Sequence, residues 1–415
     1  MKIEIISIGD ELLIGQTVNT NASWIGEQLI NIGIQLQWVT TVGDSAERLK
    51  QALHIAESRS DVILLTGGLG PTHDDVTKTI VCEYFDSQLV VNEEVLQRVK
   101  ERFRKRGYTM AKVNEEQARV PHNADIMMND LGTAPGMIFR QHDKTVFVMP
   151  GVPREMQSMM TSYVLPELKQ KLNGKVILVK NLMTTGVPES TLYEQLDNLQ
   201  KVEELAHIAF LPNLYGVKLR LMTRGDSKQE AQDKLDRAEQ LIRDKISASI
   251  YSEGEVALEE VVATLLSERH ETLAIAESCT GGMVSNKVTN ISGSSQFFEC
   301  GLITYSNAAK IELLGVPRQL IETHGAVSEP VARSMAERVR EVAGTTYGLS
   351  VTGIAGPTGG TAEKPVGLVF VGYADDNGSS VERHTFANDR VGNKQRSTQA
   401  VLNLLRKKMI ERNNG

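Results

Sequence analysis

The stretch Ala276-Glu-Ser-Cys-Thr-Gly-Gly282 is the feature from which the fold of the C-terminal part of the chain can be inferred. Residues 272–276 form an apolar run of strand length and residues 283–291 suit a helix, so Ser278 is predicted to lie in a strand-to-helix turn. Free backbone N–H groups and the positive end of the helix can hold an anion at such a turn, and its two glycines allow a ligand to approach the backbone. A serine hydroxyl in this position needs a base before it can act as a nucleophile.

A lysine that would supply this base follows one element later. Residues 300–305 form another strand-like run, and Ser306 suits the N-cap of a short helix that ends at Gly315. Lys310 would lie near the N-terminus of this helix, where the helix dipole and any burial both lower the pKa of an amine. With Tyr305 to relay or orient the proton, these residues predict a hydrolase that acts on amides. The alternative is that the turn only begins a capped helix and that Lys310 is a solvated surface residue.

Five motifs, in the same order, resemble the C-terminal domain of the competence/damage-inducible CinA family. They are AESCTGG at 276–282, TYSNAAK at 304–310, GAVSEP at 325–330, TGIAGPTGG at 352–360 and KPVG at 364–367. The resemblance implies a nicotinamide mononucleotide deamidase that needs no cofactor, with Ser278, Tyr305 and Lys310 as its catalytic residues. The expected substrate-binding residues are Thr280, Gly281, Gly282, Thr352, Gly353 and Arg390.

The backbone amides of the turn, Arg390 and Cys279 each have a further predicted role or an alternative. Backbone N–H groups around 280–282 are expected to stabilise the oxyanion. Arg390 is expected to bind the substrate phosphate through its bidentate fork, the alternative being a surface ion pair, while Asp389 could simply cap the final helix. Cys279 is a second candidate nucleophile, but it has no histidine nearby in the sequence, so we place it below Ser278.

Composition excludes several function classes. The 415 residues carry a net charge of −7 with acidic and basic residues interspersed, which argues against a protein that binds the nucleic-acid backbone. No window of 18 apolar residues predicts a membrane span, and the N-terminus lacks the pattern of a signal peptide. The three cysteines are too few and too scattered for a disulfide framework or a zinc site. We therefore expect a cytoplasmic protein.

The N-terminal part alternates strand-like and helical segments. Strands are predicted at 3–8, 36–42, 62–66 and 146–149, and helices at 22–32, 46–58 and 93–106. This alternation predicts a mostly parallel sheet with helices on both faces, and ligands of such folds bind beyond the carboxyl ends of the strands.

One loop at this edge has the composition of a phosphate and metal site. Residues 62–66 lead directly into Gly67-Gly-Leu-Gly-Pro-Thr-His-Asp-Asp-Val-Thr77. Its glycines permit close approach of a phosphate, and Asp74 and Asp75 offer oxygen ligands to a divalent cation. Glu11, after the first strand, would reach the same edge. The alternative is that Asp74 or Asp75 only caps a helix that begins near residue 76.

This part of the chain resembles the N-terminal domain of CinA proteins, which has a molybdopterin-binding fold. The matching motifs are GDELL at 9–13, NTN at 19–21, residues 67–77, GTAPG at 132–136 and PGVPRE at 150–155. The resemblance implies a metal-dependent ADP-ribose pyrophosphatase. Its expected metal residues are Asp74, Asp75 and Glu11, and its expected substrate residues are Thr66, Gly67, Gly68, Gly70, Asn21 and Glu155. Because related domains bind a pterin nucleotide, binding without turnover is the alternative.

A smaller α/β unit is predicted between these two parts. Strands at 176–183 and 215–223 and a helix at 227–247 resemble the KH-type domain of some CinA proteins. We find no Gly-x-x-Gly loop with which a KH domain clamps nucleic acid, so a spacer or dimerisation role is expected. Residues 252–255 are the best linker candidate before a helix at 256–266.

Predicted helices and strands continue to alternate up to the final helix of the chain. A helix at 329–343 capped by Ser328, a strand at 347–352, a hairpin of strands 368–373 and 381–386 and a final helix are predicted.

The whole chain is thus predicted to be α/β, with domains at 1–173, 174–254 and 255–415. The resemblance implies a bifunctional pyridine-nucleotide salvage enzyme that acts on nicotinamide mononucleotide and ADP-ribose, and a homodimer is the default expectation. The alternatives are a non-enzymatic competence or DNA-damage partner protein, which would show a basic or apolar docking stripe, and a molybdopterin-binding protein.

Overall fold

The computed structural model describes residues 1–70, 72, 75–105, 107–141, 143–172 and 176–414. The chain divides into two compact units. The first comprises residues 1–179 and 224–232, and the second comprises residues 180–223 and 233–415. Each unit is a mixture of strands and helices, so the predicted α/β class is confirmed.

The strands, in chain order, are β1 Ile3–Ile8, β2 Trp38–Val42, β3 Val62–Thr66, β4 Leu89–Val91, β5 Arg119–Pro121, β6 Asp125–Met127, β7 Gly136–Gln141, β8 Lys144–Met149, β9 Val176–Thr184, β10 His207–Asn213, β11 Gly216–Gly225, β12 Ile250–Glu253, β13 Leu273–Glu277, β14 Phe298–Ile303, β15 Tyr347–Gly353, β16 Leu368–Asp375 and β17 Gly378–Thr385.

The helices are α1 Asp10–Leu13, α2 Thr20–Asn31, α3 Ala46–Arg59, α4 Thr77–Tyr84, α5 Glu93–Lys105, α6 Pro153–Met159, α7 Leu165–Gln170, α8 Glu189–Gln195, α9 Leu199–Glu203, α10 Lys228–Ile246, α11 Leu258–Arg269, α12 Met283–Thr289, α13 Asn307–Glu312, α14 Arg318–His324, α15 Glu329–Ala343 and α16 Arg390–Asn414. Within the described residues, none has the length and apolar composition needed to cross a bilayer.

The described residues of the first unit form a six-stranded sheet in the order β2-β1-β3-β8-β7-β6. Neighbours are parallel from β2 to β8, whereas β7 and β6 are added antiparallel. All side chains of β3 are buried because the sheet is covered on both faces. Ile63 and Leu65 pack with residues of α3 and α4, and Val62 and Leu64 pack with residues of α2 and α6. The predicted two-sided parallel sheet is therefore present, with an antiparallel extension that was not predicted.

In the second unit, one sheet has the order β10-β11-β9-β12. Side chains of β11 alternate between buried and half-buried positions, as expected for a strand with one covered face. The prediction of a linker at 252–255 is wrong in part, because Ser252 and Glu253 belong to β12 and pair with Met183 and Leu182 of β9. Polar residues of a short edge strand resemble a linker in composition, and only the pairing distinguishes the two.

The other sheet of this unit has the order β14-β13-β15-β16-β17. The central strand β13 is parallel to both β14 and β15, and β16 and β17 follow antiparallel. One face packs against residues of α11, α12 and α16, and the other packs against residues of α14 and α15. The carboxyl ends of β13, β14 and β15 consequently meet at one edge, and the segments that follow these strands carry the candidate residues.

Predicted helix caps have mixed outcomes. The Ser306 hydroxyl accepts a hydrogen bond from the backbone of Ala309, so its N-cap role is confirmed. Asp389 accepts from the N–H of Gly392 at the start of α16, which bears out the capping alternative. The Ser328 prediction is wrong, because its hydroxyl donates to the carbonyl of Gly325 instead of accepting from the helix.

Candidate active site

Ser278 follows β13 directly and lies in the predicted strand-to-helix turn. Its backbone N–H donates to the Val351 carbonyl of the adjacent strand, and its own carbonyl accepts from Gly281. Gly281 and Gly282 have φ of 61° and 92°, which lie in a backbone region that residues with a Cβ rarely adopt. The two glycines are therefore needed for the turn itself, whether or not a ligand approaches them.

The carboxylate of Glu277 occupies the place that was predicted for a bound anion. It is fully buried and, among the described residues, accepts from three backbone N–H groups and two hydroxyls. The donors are the N–H groups of Gly282, Val284 and Ser285 and the hydroxyls of Thr280 and Ser285. The helix N-terminus thus holds the protein's own carboxylate.

This arrangement corrects the prediction for the oxyanion-binding amides. The Gly281 amide donates to Ser278 and the Gly282 amide donates to Glu277, so both are already used within the turn. The amide of Thr280 donates to no acceptor in the described part of the chain. Of the three amides, that of Thr280 is the one left to bind an oxyanion.

Lys310 lies beneath this turn and contacts the serine directly. Its side chain is 1% exposed, which rules out the alternative of a solvated surface residue. Its Nζ lies 2.9 Å from Ser278 Oγ, 2.7 Å from the Thr304 carbonyl oxygen and 3.2 Å from the Tyr305 carbonyl oxygen. Burial lowers the pKa of Lys310 to about 8.

The contacts of Lys310 determine how its neutral form is oriented. A neutral amine has two hydrogens and one lone pair, and the two carbonyl oxygens can accept both hydrogens. The lone pair then faces the hydroxyl of Ser278. This geometry suits proton transfer from the serine to the lysine without an intermediate group.

Tyr305 therefore has a different place from the relay that was predicted. Its backbone carbonyl contacts Lys310, whereas its exposed hydroxyl lies 3.0 Å from the guanidinium of Arg390 and accepts from it. Arg390 also donates to the carbonyl of Gly356. Among the described residues Arg390 makes no ion pair, so its charge is available at the mouth of the site.

A second cation at this mouth was missed by the sequence reasoning. A Cβ added to Gly281 would lie 3.8 Å from Nζ of Lys394, which is half-buried on α16. Within the described residues this ammonium has no hydrogen bond or ion pair. Arg390 and Lys394 are four residues apart and so share a helix face, a spacing that could have revealed the second cation.

Other predicted residues of this half have structural partners. The buried hydroxyl of Thr352 donates to the carbonyl of Ala326, and a Cβ added to Gly353 would lie 2.7 Å from the Leu368 carbonyl oxygen. Burial raises the pKa of Cys279 to about 12, which keeps its thiol protonated and supports placing it below Ser278 as a nucleophile.

In the first unit, Glu11, Asn21 and Thr66 line one small cleft at the carboxyl edge of the sheet. The Asn21 amide donates to Thr66 Oγ1 and to the Gly151 carbonyl, while its own Oδ1 is buried without a partner among the described residues. An acceptor held in this way is available to a donor on a ligand.

The glycines of the predicted phosphate loop lie close to other parts of the protein. A Cβ on Gly67 would collide with the Ile8 carbonyl oxygen, one on Gly68 with the Thr77 hydroxyl, and one on Gly70 with the carboxylate of Asp75. These contacts explain the glycines without a phosphate.

The carboxylates that were predicted to bind metal do not converge in the described part of the chain. Asp75 accepts from the backbone and hydroxyl of Thr72 and does not cap α4. Asp74 lies outside the described residues. Glu155, which was predicted to bind substrate, accepts from Asn129 and is not among the residues that line the cleft with Glu11. Among the described residues, no three His, Cys, Asp or Glu side chains are placed to hold a metal ion.

Comparison with known proteins covers the whole chain. Family models match at residues 4–170 (Probable molybdopterin binding domain), 179–252 (Damage-inducible protein CinA KH domain) and 255–409 (CinA C-terminal domain). A competence-damage inducible protein of Caldicellulosiruptor bescii is 44% identical over 412 residues, which cover 99% of this chain and 100% of that protein. A CinA-like protein of Dictyoglomus thermophilum is 43% identical over 410 residues, with 99% and 100% coverage.

Among solved structures, the protein CinA from Thermoplasma acidophilum is 32% identical. The match covers 40% of this chain and 96% of that one, with a TM-score of 0.37.

The dependence of the turn on Glu277 can be tested through the buried thiol beside it. In Glu277→Gln one carboxylate oxygen becomes an NH2 group that faces N–H and O–H donors, at a cost of about 1–3 kcal/mol. We expect the turn to open more often and the rate of Cys279 alkylation, measured by mass spectrometry, to rise about tenfold or more. The exposed Glu322→Gln is the matched control. An unchanged Cys279 rate in Glu277→Gln would contradict this role.

Proposed function

Because the chain belongs to the CinA family of competence/damage-inducible proteins, we propose that its C-terminal domain hydrolyses nicotinamide mononucleotide to nicotinate mononucleotide and ammonia. The observation that carries this proposal is the 2.9 Å contact between Nζ of the buried Lys310 and Oγ of Ser278. A lysine with a pKa of about 8 is partly neutral near physiological pH, so it can accept the serine proton.

In the proposed reaction, neutral Lys310 takes the proton of Ser278 as Oγ attacks the carboxamide carbon. The Thr280 amide donates to the oxyanion that forms. Lys310 then gives its proton to the leaving nitrogen, ammonia departs, and an ester joins the acyl group to the serine. A water molecule attacks this ester with Lys310 again as the base. The free acid is released, and the hydroxyl of Ser278 is restored.

Substrate recognition would come from the two cations on α16. Arg390 and Lys394 lie on one helix face near the Ser278 turn, and among the described residues neither is neutralised by a carboxylate. A phosphate is the ligand group that two such cations favour. Tyr305, whose hydroxyl accepts from Arg390, would fix the orientation of the guanidinium.

For the N-terminal domain we propose metal-dependent hydrolysis of ADP-ribose to AMP and ribose 5-phosphate. Support comes from the motifs at 67–77 and from the cleft where Glu11, Asn21 and Thr66 meet at the carboxyl edge of a parallel sheet. A pterin-binding protein is the alternative for this domain, because its family model describes molybdopterin binding. A competence or DNA-damage partner protein is the alternative for the whole chain, because a relative is named a competence-damage inducible protein.

The base assignment predicts which variants lose ammonia release from nicotinamide mononucleotide in EDTA. We expect wild type to turn over, and Ser278→Ala and Lys310→Ala to lose about a thousandfold in rate. Lys310→Arg keeps the positive charge but cannot become neutral, so it should be as inactive as Lys310→Ala. Cys279→Ser is the matched control and should retain activity. An active Lys310→Arg would overturn the base role, and an inactive wild type would overturn the deamidase proposal.

The lowered pKa of Lys310 also predicts the pH dependence of this reaction. Below a pH of about 8 the lysine is protonated and cannot accept the serine proton, so kcat/KM should rise about tenfold per pH unit and level off above about 8. A rate profile between pH 6 and 9.5 measures this. A flat profile across pH 8 would show that no group with this pKa governs the reaction.

The two proposed activities should differ in their need for metal and in the substitutions that slow them. We expect AMP formation from ADP-ribose to require a divalent cation and to stop in EDTA, and Glu11→Gln to slow it without changing ammonia release. Ser278→Ala should have the opposite pattern, which makes each variant the control for the other. Turnover of ADP-ribose in EDTA would contradict the metal requirement, and tighter retention of a pterin than of ADP-ribose would favour the alternative.

A further inference from the structure

A cavity of about 410 Å³ lies within the second unit, away from the Ser278 turn. Its walls are the loop after β9, the turn between β10 and β11, the strand β17 and one face of α16. This volume is in the range of pockets that hold one small ligand, and junctions between structural layers are frequent places for such pockets.

Two nearly buried amide side chains on α16 line this cavity. Gln399 and Asn403 are each 5% exposed and lie four residues apart, hence side by side on one face of the helix. Each uses only one of its two polar ends within the described residues. A free amide end at a cavity wall is accessible to a ligand that enters the cavity and can form a hydrogen bond with it.

Their partners determine which end of each amide is free. The Thr185 hydroxyl donates its proton to the Tyr215 carbonyl and therefore accepts from Gln399, so the contacting atom is Nε2 and the free one is Oε1. Arg406 donates to Asn403, so the contacting atom is Oδ1 and the free one is Nδ2. The cavity thus presents an acceptor from Gln399 beside a donor from Asn403.

The other walls suit a flat ring with an anionic substituent. The rings of His384 and Phe386 stack with centroids 5.5 Å apart and an interplanar angle of 8°. Glu382 pairs with both His384 and Lys407, whereas Arg396 has no ion pair among the described residues and is exposed at the rim. An aromatic wall and a free guanidinium are the partners that a base and a phosphate need.

We propose that this cavity binds a nucleotide whose base carries an exocyclic amine next to a ring nitrogen, as in adenine and cytosine. The amine donates to Gln399 Oε1, the ring nitrogen accepts from Asn403 Nδ2, and the phosphate meets Arg396. Bases with a carbonyl and a ring N–H at the same positions, as in hypoxanthine and uracil, present the opposite pattern and are rejected. The proposal is independent of either catalytic activity.

The test is the affinity of the full-length protein for AMP and IMP, and for CMP and UMP, by isothermal titration calorimetry. We expect the amino bases to bind at least about tenfold more tightly, since the wrong base leaves buried groups unpaired. Asn403→Asp keeps the acceptor for Arg406 and replaces the donor to the cavity with a charged acceptor oxygen, so it should weaken binding of AMP and of the uncharged adenosine alike, by about tenfold or more. Gln399→Met removes the acceptor, and Gln395→Leu on the same helix, outside the cavity, is the matched control.

Binding in the N-terminal cleft would not respond to these substitutions, so it is distinguishable. AMP affinity that is unchanged in both Asn403→Asp and Gln399→Met, or equal affinities for AMP and IMP, would overturn the proposal, as would the absence of saturable binding by all four nucleotides. Arg396→Gln should weaken AMP but not adenosine, and an equal effect on both would overturn the phosphate contact.

Discussion

The convergence of backbone and hydroxyl donors on the buried carboxylate of Glu277 is the constraint on which the candidate active site depends. A charged group without a cationic partner is tolerated in an interior only when its oxygens are satisfied by hydrogen bonds, and the first turn of α12 supplies them. The carboxylate in turn fixes the left-handed glycine turn, and the turn fixes the direction of the Ser278 side chain. The position of the Ser278 hydroxyl, the proposed nucleophile, is thus set by an internal helix cap.

Lys310 illustrates the opposite solution for a buried charge. It has no acidic partner among the described residues, and its contacts are a hydroxyl and two carbonyl oxygens. Dipoles of this kind stabilise an ammonium less than a carboxylate would, so burial shifts the equilibrium towards the neutral amine. Arg390 and Lys394 are more accessible on α16, and neither has a carboxylate partner among the described residues. The same site therefore contains a cation suited to losing its proton and cations suited to holding an anion.

Much of this arrangement can be predicted from the sequence, and the parts that cannot be predicted have identifiable physical reasons. The strands β1 and β3, the turn at Ser278 and the proximity of Lys310 follow from apolar runs and motif order, because parallel neighbours bring their carboxyl ends to one edge. The role of Glu277 is not apparent from the sequence, because a single carboxylate at the start of a glycine-rich turn has the composition of an exposed group. The contact between the Tyr305 hydroxyl and Arg390 does not follow from the motifs, since it depends on α16, which is 85 residues away in the chain. Residues 252 and 253 have the composition of a linker, and only their pairing with β9 makes them part of the strand β12.

The final helix, α16, faces different parts of the structure on its different sides, and this limits which substitutions it can accept. At about 100° per residue, Arg390 and Lys394 point to one side of α16, while Gln399 and Asn403 point roughly to the opposite side. Leu402 and Leu405 fill the hydrophobic core between these directions. The middle turns consequently have almost no solvent face, and polar residues among them are buried. Because nearly every side of this segment packs against another part of the protein, few of its positions can be substituted without effect. Changes here are confined to substitutions that several neighbouring surfaces accept together.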